Sequence, residues 1–172
     1  MPRSILRYGD PILRQATRPV THFTEDLDRL IDDMVETMYA APGVGLAANQ
    51  VGSLARIFVA NPSEDQDPSK LLVVINPEPL ESAGETLAEE GCLSLPDLRE
   101  EVRRPRRLLV RGLDRTGRPI EIEAQDLLAR IFQHELDHLN GLLFVDRLSP
   151  AKRDMLVRKL KKSMRRGESR GR

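Results

Sequence analysis

The segment His134-Glu-Leu-Asp-His138 constrains this chain more than any other. Two imidazoles four residues apart share one face only if the backbone between them is helical, because a turn takes ~3.6 residues. Held that way they can grip one metal ion, and Glu135 beside them is a carboxylate able to take a proton from water. The same pattern also arises on an ordinary amphipathic helix with two structural histidines. Catalysis at such a site requires a third protein ligand and an open position.

Zinc proteases with this motif take the third ligand downstream. Here Leu139-Asn-Gly-Leu-Leu-Phe144 supplies the glycine of the longer H-E-x-x-H-x-x-G-x-x-H pattern but puts Phe144 where its third histidine would stand. Asp146 and Asp154 fall in no ligand pattern, and His22, between Thr21 and Phe23, reads as a structural residue. That leaves Cys92, the one cysteine, in Glu89-Glu-Gly-Cys-Leu-Ser-Leu-Pro96. A lone cysteine is usually an inert small hydrophobe. Beside a two-histidine motif that lacks a ligand, the expected set is Cys92, His134, His138 and water. A single cysteine also excludes an internal disulfide, and a reducing compartment or a metal would keep the thiol reduced.

The elements around this motif predict an α+β fold. Leu27, Leu30, Ile31, Met34, Val35 and Met38 recur at helical spacing after Thr24, an expected N-cap, and Pro42-Gly43 ends that helix. Gly43-Val-Gly-Leu-Ala-Ala-Asn-Gln50 offers little bulk to pack. Short strands are expected at Ile57 to Ala60, Leu71 to Ile75, Leu108 to Val110 and Ile120 to Ile122, separated by Asn61-Pro62, Asn76-Pro77 and Asp114-Arg-Thr-Gly117. That spacing argues for antiparallel pairing. The histidine helix should run from Asp126, as N-cap, to Asn140, with Gly141 as its C-terminal stop and Leu128, Phe132, Leu136 and Leu139 on one side. A third helix is expected from Pro150 to about Arg166.

A length of 172 residues fits one domain, read as a body over 1–150 carrying a basic helix and tail over 151–172. With 40% hydrophobic and 31% charged residues the chain is neither disordered nor membrane-embedded. No apolar run approaches the ~18 residues of a spanning helix. Met1 to Arg7 lacks the apolar core of a signal peptide, so a cytoplasmic protein is expected. The overall charge of zero is unevenly spread. From Ala151 onward ten Lys/Arg stand against two Asp/Glu, which leaves the body at −8 and the tail at +8. Such asymmetry points to an anionic partner for the tail.

Three motifs together resemble the peptide deformylase family: Gly43 to Gln50, Glu90-Gly-Cys-Leu-Ser94 and Gln133-His-Glu-Leu-Asp-His138, with Ile5 to Arg14 also similar. The resemblance covers nearly the whole chain up to the basic tail. It implies antiparallel sheets around a central metal-binding helix. It also implies removal of the formyl group from the N-terminal formyl-methionine of nascent bacterial peptides. One divalent ion is implied at Cys92, His134 and His138, usually ferrous iron, with zinc, nickel or cobalt able to substitute; spacing does not choose among them.

The family's residue roles carry over as expectations. Glu135 is the general base, while the Gln50 amide and the Leu93 backbone N–H donate to the developing oxyanion. Gly45 and Leu46 hold the peptide like an added strand. Glu90, Gly91, Arg99, Arg104, Arg130 and Ile131 surround the substrate, with Arg104 pairing to Glu90. Arg130 stands where many relatives carry an aliphatic residue, so its stem is expected to cover apolar surface with the charge in water. The basic helix is expected to meet the ribosome near the peptide exit, in a protein that is a monomer and touches no membrane. Two other readings compete. A zinc endopeptidase would leave Cys92 idle, and a ribosome-binding module with a structural metal would have no use for Glu135.

Overall fold

Helix α1 spans Glu25–Ala40, and the Thr24 hydroxyl caps it by accepting the Leu27 N–H at 3.3 Å. Glu25, Asp26 and Asp28 in its first turn complement the positive end of the helix dipole. The structure is a computed structural model that describes residues 1–170; the last two positions of the expected tail lie outside the described residues. After α1 come strands β1 (Gly45–Ala47), β2 (Ile57–Ala60), β3 (Leu72–Ala83), β4 (Thr86–Cys92), β5 (Leu95–Arg104), β6 (Arg107–Leu113) and β7 (Pro119–Gln125). Helices α2 (Asp126–Leu139) and α3 (Pro150–Arg170) complete the order.

All strand pairing within the sheets is antiparallel. Five strands form one sheet in the order β1-β2-β3-β6-β7, while β4 and β5 form a separate hairpin. Strand β2 explains how the sheet is filled on both faces. Successive side chains point to opposite sides, so Ile57 and Val59 meet Ile31, Met34 and Met38 of α1. Phe58 and Ala60 meet Phe132 and Leu136 of α2, with the Phe58 and Phe132 rings 5.0 Å apart. A third cluster joins the hairpin to α3: Leu95, Leu98 and Val102 pack with Phe144, Leu156 and Leu160.

The structure departs from the sequence reading at several points. The expected strands all exist: β2 has the expected bounds, β3, β6 and β7 are longer, and β3 continues through Asn76-Pro77. The Ile75-to-Glu78 register shift absorbs the proline there, and Asn76 sits at φ +53° with its side chain tied to Val20. Strands β1, β4 and β5 were not expected. In β4 and β5 the glutamates and arginines mask an alternating pattern. At the start of α2, Asp126 is not the N-cap. Gln125 holds that position with no side-chain cap bond, and Asp126 sits at φ +52° with its carboxylate on Arg106 at 2.9 Å.

The stop after α2 is as expected and tighter than composition suggests. Gly141 has φ +78°, and a Cβ there would lie 2.6 Å from the Arg14 carbonyl oxygen. That turn seats the N-terminal segment beside the histidine helix, where Thr17 bonds the Leu139 carbonyl through both N–H and hydroxyl. Gly141→Ala should therefore destabilise the fold by at least ~1–2 kcal/mol, the cost of a left-handed L-residue alone. Urea unfolding of the two proteins measures it.

Candidate metal centre

Three donor atoms converge where α2 meets the tip of the hairpin. Cys92 ends β4, just before the two residues Leu93-Ser94 that turn the chain into β5, and His134 and His138 project from one face of α2. The Cys92 Sγ lies 3.3 Å from His138 Nε2, and the two Nε2 atoms are 3.2 Å apart. All three atoms lie within 4.8 Å of one another. A tetrahedral ion with metal–nitrogen bonds of ~2.0–2.1 Å and a metal–sulfur bond of ~2.3 Å gives edges of roughly 3.3 and 3.6 Å. The donor set therefore fits a single divalent metal. Phe144, at the position of a third histidine in the longer motif, stacks on the His134 ring, and His22 lies on an exposed segment outside the group.

Glu90 aims the first histidine. Its Oε1 sits 2.9 Å from His134 Nδ1. An ionised carboxylate can only accept, so Nδ1 carries the proton and Nε2 presents its lone pair. Burial alone would raise the Glu90 pKa, but the bonds from His134 and Arg104 outweigh it and hold the carboxyl at about 2. Arg104 grips both oxygens, Nε on Oε2 at 2.6 Å and Nη2 on Oε1 at 2.9 Å, and reaches Asp137 at 2.9 Å through Nη1. Asp137, between the two histidines, is also held by Arg147.

The Arg104–Glu90 pair is thus as expected, but Arg104 is buried behind the site and does not line the cleft. Arg130 corrects the sequence reading more sharply. It is 94% buried, and its guanidinium does not stay in water. Its Nη1 donates to Glu90 at 2.6 Å and to the Val102 carbonyl at 2.8 Å, and its Nη2 to the Thr86 carbonyl at 3.0 Å. Paired this way, the charge staples both hairpin strands to α2.

Gln50 and Glu135 face the same point. The Ala47 N–H donates to Gln50 Oε1 at 2.9 Å, which turns Gln50 Nε2 toward Ser94 Oγ at 3.1 Å and Cys92 Sγ at 3.8 Å. Glu135 is buried with Oε2 unpaired, and burial above all pushes its carboxyl up to about 7. A Cβ on Gly45 would lie 2.8 Å from Glu135 Oε1, so only glycine leaves the carboxylate its place.

A cleft of about 560 Å³ opens over these groups. Gly45, Gly91, Leu93, Arg99, Arg130 and Ile131 line it together with Cys92, His134, Glu135, Gln50 and Glu90. Leu46 does not: its side chain is in the core between sheet and α1. The ladder explains the difference. The Asn61 N–H donates to the Val44 carbonyl, so by alternation Leu46 faces β2 while Gly45 turns its amide and carbonyl to the free edge of the sheet. Arg99 stands at the rim, exposed and paired to Glu89 at 2.6 Å. The sequence reading passed over Ser94, Asn49 and Arg147, and Val44 and Leu127, two exposed apolar residues on the cleft wall. No spacing marks these; only the fold brings them in.

Breaking the buried charge cluster should be costly. Arg104→Leu strips two hydrogen bonds from Glu90 and one from Asp137, leaving them to Arg130 and Arg147, and is expected to destabilise the protein by up to ~3–5 kcal/mol in denaturant unfolding.

A model of the polypeptide deformylase family matches residues 2–154. A curated peptide deformylase from Acidobacterium capsulatum is 47% identical over 168 residues, 98% of this chain and 99% of the relative. One from Thermodesulfovibrio yellowstonii is 49% identical over 157 residues, 91% of this chain and 95% of its own. Among solved structures, a peptide deformylase from Legionella pneumophila superposes with a TM-score of 0.91 at 47% identity and covers 98% of both chains. One from Synechococcus elongatus, in complex with actinonin, gives 0.86 at 40% identity over 92% of this chain and 87% of its own.

Proposed function

The chain belongs to the polypeptide deformylase family, and on that footing we propose which of its residues carry the family's reaction. The reaction is hydrolysis of the formyl amide on the N-terminal formyl-methionine of nascent peptides, releasing formate. The family implies a catalytic metal, and in this reading Cys92, His134 and His138 hold it. Ferrous iron is the proposed cellular metal, with zinc, nickel or cobalt as substitutes for the same thiolate and imidazole donors. When bound, it supplies the Lewis acidity that polarises a carbonyl and makes water nucleophilic at neutral pH.

The observation that carries the reading is the unpaired Glu135 carboxylate oxygen, buried beside the three ligands yet on the wall of the cleft. Glu135 takes the proton of the attacking water and passes it to the departing amine. The Gln50 side-chain amide and the Leu93 N–H donate to the formyl oxygen as charge develops on it, each such donor being worth ~3–4 kcal/mol in comparable reactions. Ser94 and the Ala47 N–H keep the Gln50 amide turned the right way. The peptide lies along the free edge at Gly45 and against Gly91, as an added strand. The methionine side chain enters beside Ile131 and the stem of Arg130, with Glu90 behind, and Arg99 stands where later residues pass.

Formate release from a formyl-Met tripeptide by nickel-loaded protein tests these roles. Glu135→Ala should lose at least ~100-fold in kcat, the lower range for a general base, with bound nickel retained. Cys92→Ala should fail to retain nickel. A Glu135→Ala enzyme as fast as wild type would refute the base assignment.

Helix α3 supports a second part of the proposal. Leu156 and Leu160 dock it on the hairpin, and Lys152 pairs with Glu100 at 3.0 Å. Arg158, Lys159, Lys161, Lys162 and Arg165 lie exposed on its outer face. Among the described residues no helix is long and apolar enough to cross a membrane. The basic face suits the phosphates of ribosomal RNA near the peptide exit, on a cytoplasmic bacterial monomer. Reversing Lys159, Lys161 and Lys162 to glutamate should abolish co-sedimentation with ribosomes at low salt while formate release is unchanged. Undiminished co-sedimentation would contradict the docking.

A further inference from the structure

Of the two histidines that face the metal position, only His134 has a partner for its second ring nitrogen. The Nδ1 of His138 is buried with no partner among the described residues. Its Nε2 lies 3.3 Å from Cys92 Sγ and 3.2 Å from His134 Nε2, so Nε2 is the ligand atom and Nδ1 must carry the proton. Metal-ligating histidines almost always donate that second N–H to an acceptor, which fixes both tautomer and ring orientation.

One acceptor stands ready for it. Asn49 follows β1 in the Gly43-to-Gln50 motif, is 0% exposed, and has no part in the reaction as described so far. Its Nδ2 donates to the backbone carbonyl of His138 itself. A carbonyl only accepts, so that bond settles which end of the amide is nitrogen. The other end, Oδ1, is buried without a partner among the described residues. The remaining buried unpaired side-chain atom among the described residues, Glu135 Oε2, belongs to a side chain on the cleft wall, whereas neither Asn49 nor His138 lines the cleft. An unsatisfied donor and an unsatisfied acceptor thus sit behind the site on two residues already joined by a hydrogen bond.

We propose that Asn49 is the positioning residue of His138, its Oδ1 accepting the Nδ1–H when Nε2 binds a metal. The pair closes if the two side chains turn toward each other. Asn49 then does with a neutral amide what Glu90 does for His134 with a charge. The inference rests on the ligand assignment above and adds a residue to it.

The test uses the zinc-loaded protein. A crystal structure should place Asn49 Oδ1 within hydrogen-bond distance of His138 Nδ1. An ion not held by Cys92, His134 and His138 would overturn the ligand assignment. Those three ligands with Nδ1 bonded elsewhere would overturn the role of Asn49 alone. In solution, zinc should pass to an excess of colorimetric chelator ~10-fold or more faster from Asn49→Leu than from wild type. A purely structural asparagine would lower Tm and leave zinc release unchanged, and that result would also refute the proposal. If Asn49→Leu does not fold, the distance in the zinc-loaded wild-type crystal decides.

Discussion

Everything at this site depends on a buried carboxylate that accepts four hydrogen bonds at once. Glu90 receives His134 Nδ1, Arg104 Nε and Nη2, and Arg130 Nη1. Taking such a charge out of water costs several kcal/mol, and only near-complete pairing offsets it. The cluster meets that condition: Glu90 and Asp137 are matched by Arg104 and Arg130, with Arg147 reaching in from the half-exposed side. The same contacts that make the charge tolerable fix the His134 tautomer, so stability and metal geometry share one set of bonds.

That cluster also joins two layers that no continuous sheet connects. Strands β4 and β5 form their own hairpin, apart from the five-stranded sheet on which α2 rests. Cys92 comes from the hairpin and both histidines from α2, so a three-ligand site exists only if hairpin and helix are held in register. Arg104 and Arg130 do this from opposite sides, one rooted in β5 and the other in α2. Gln50, fixed by β1 and by Ser94 at the hairpin tip, adds a third tie across the same seam.

The parts legible in the sequence were those set by local periodicity and by residue type at short spacing. The apolar spacing of α1, the stop at Gly141 and the histidine pair all stand in the fold as read. Cys92 is the residue type that could complete a ligand set, and its Sγ lies within 4.8 Å of both imidazole donors. What the sequence concealed depends on long-range pairing. The hairpin strands hid behind outward Glu and Arg side chains. Arg130 reads as a snorkelling surface residue because nothing local shows that Glu90 and the Thr86, Ala88 and Val102 carbonyls wait for it. Leu46 and Gly45 differ only through ladder parity, and Ser94 and Asn49 matter only because the fold brings the hairpin tip to Gln50 and the segment after β1 to α2.

The central claim is that one divalent metal is held by one thiolate and two imidazoles, with the reaction organised around it. X-ray absorption at the metal edge of the zinc-loaded protein tests this most directly. The account predicts one sulfur scatterer at ~2.3 Å and two imidazole nitrogens at ~2.0–2.1 Å, with the sulfur lost in Cys92→Ala. A first shell of nitrogen and oxygen alone in the wild type would contradict it.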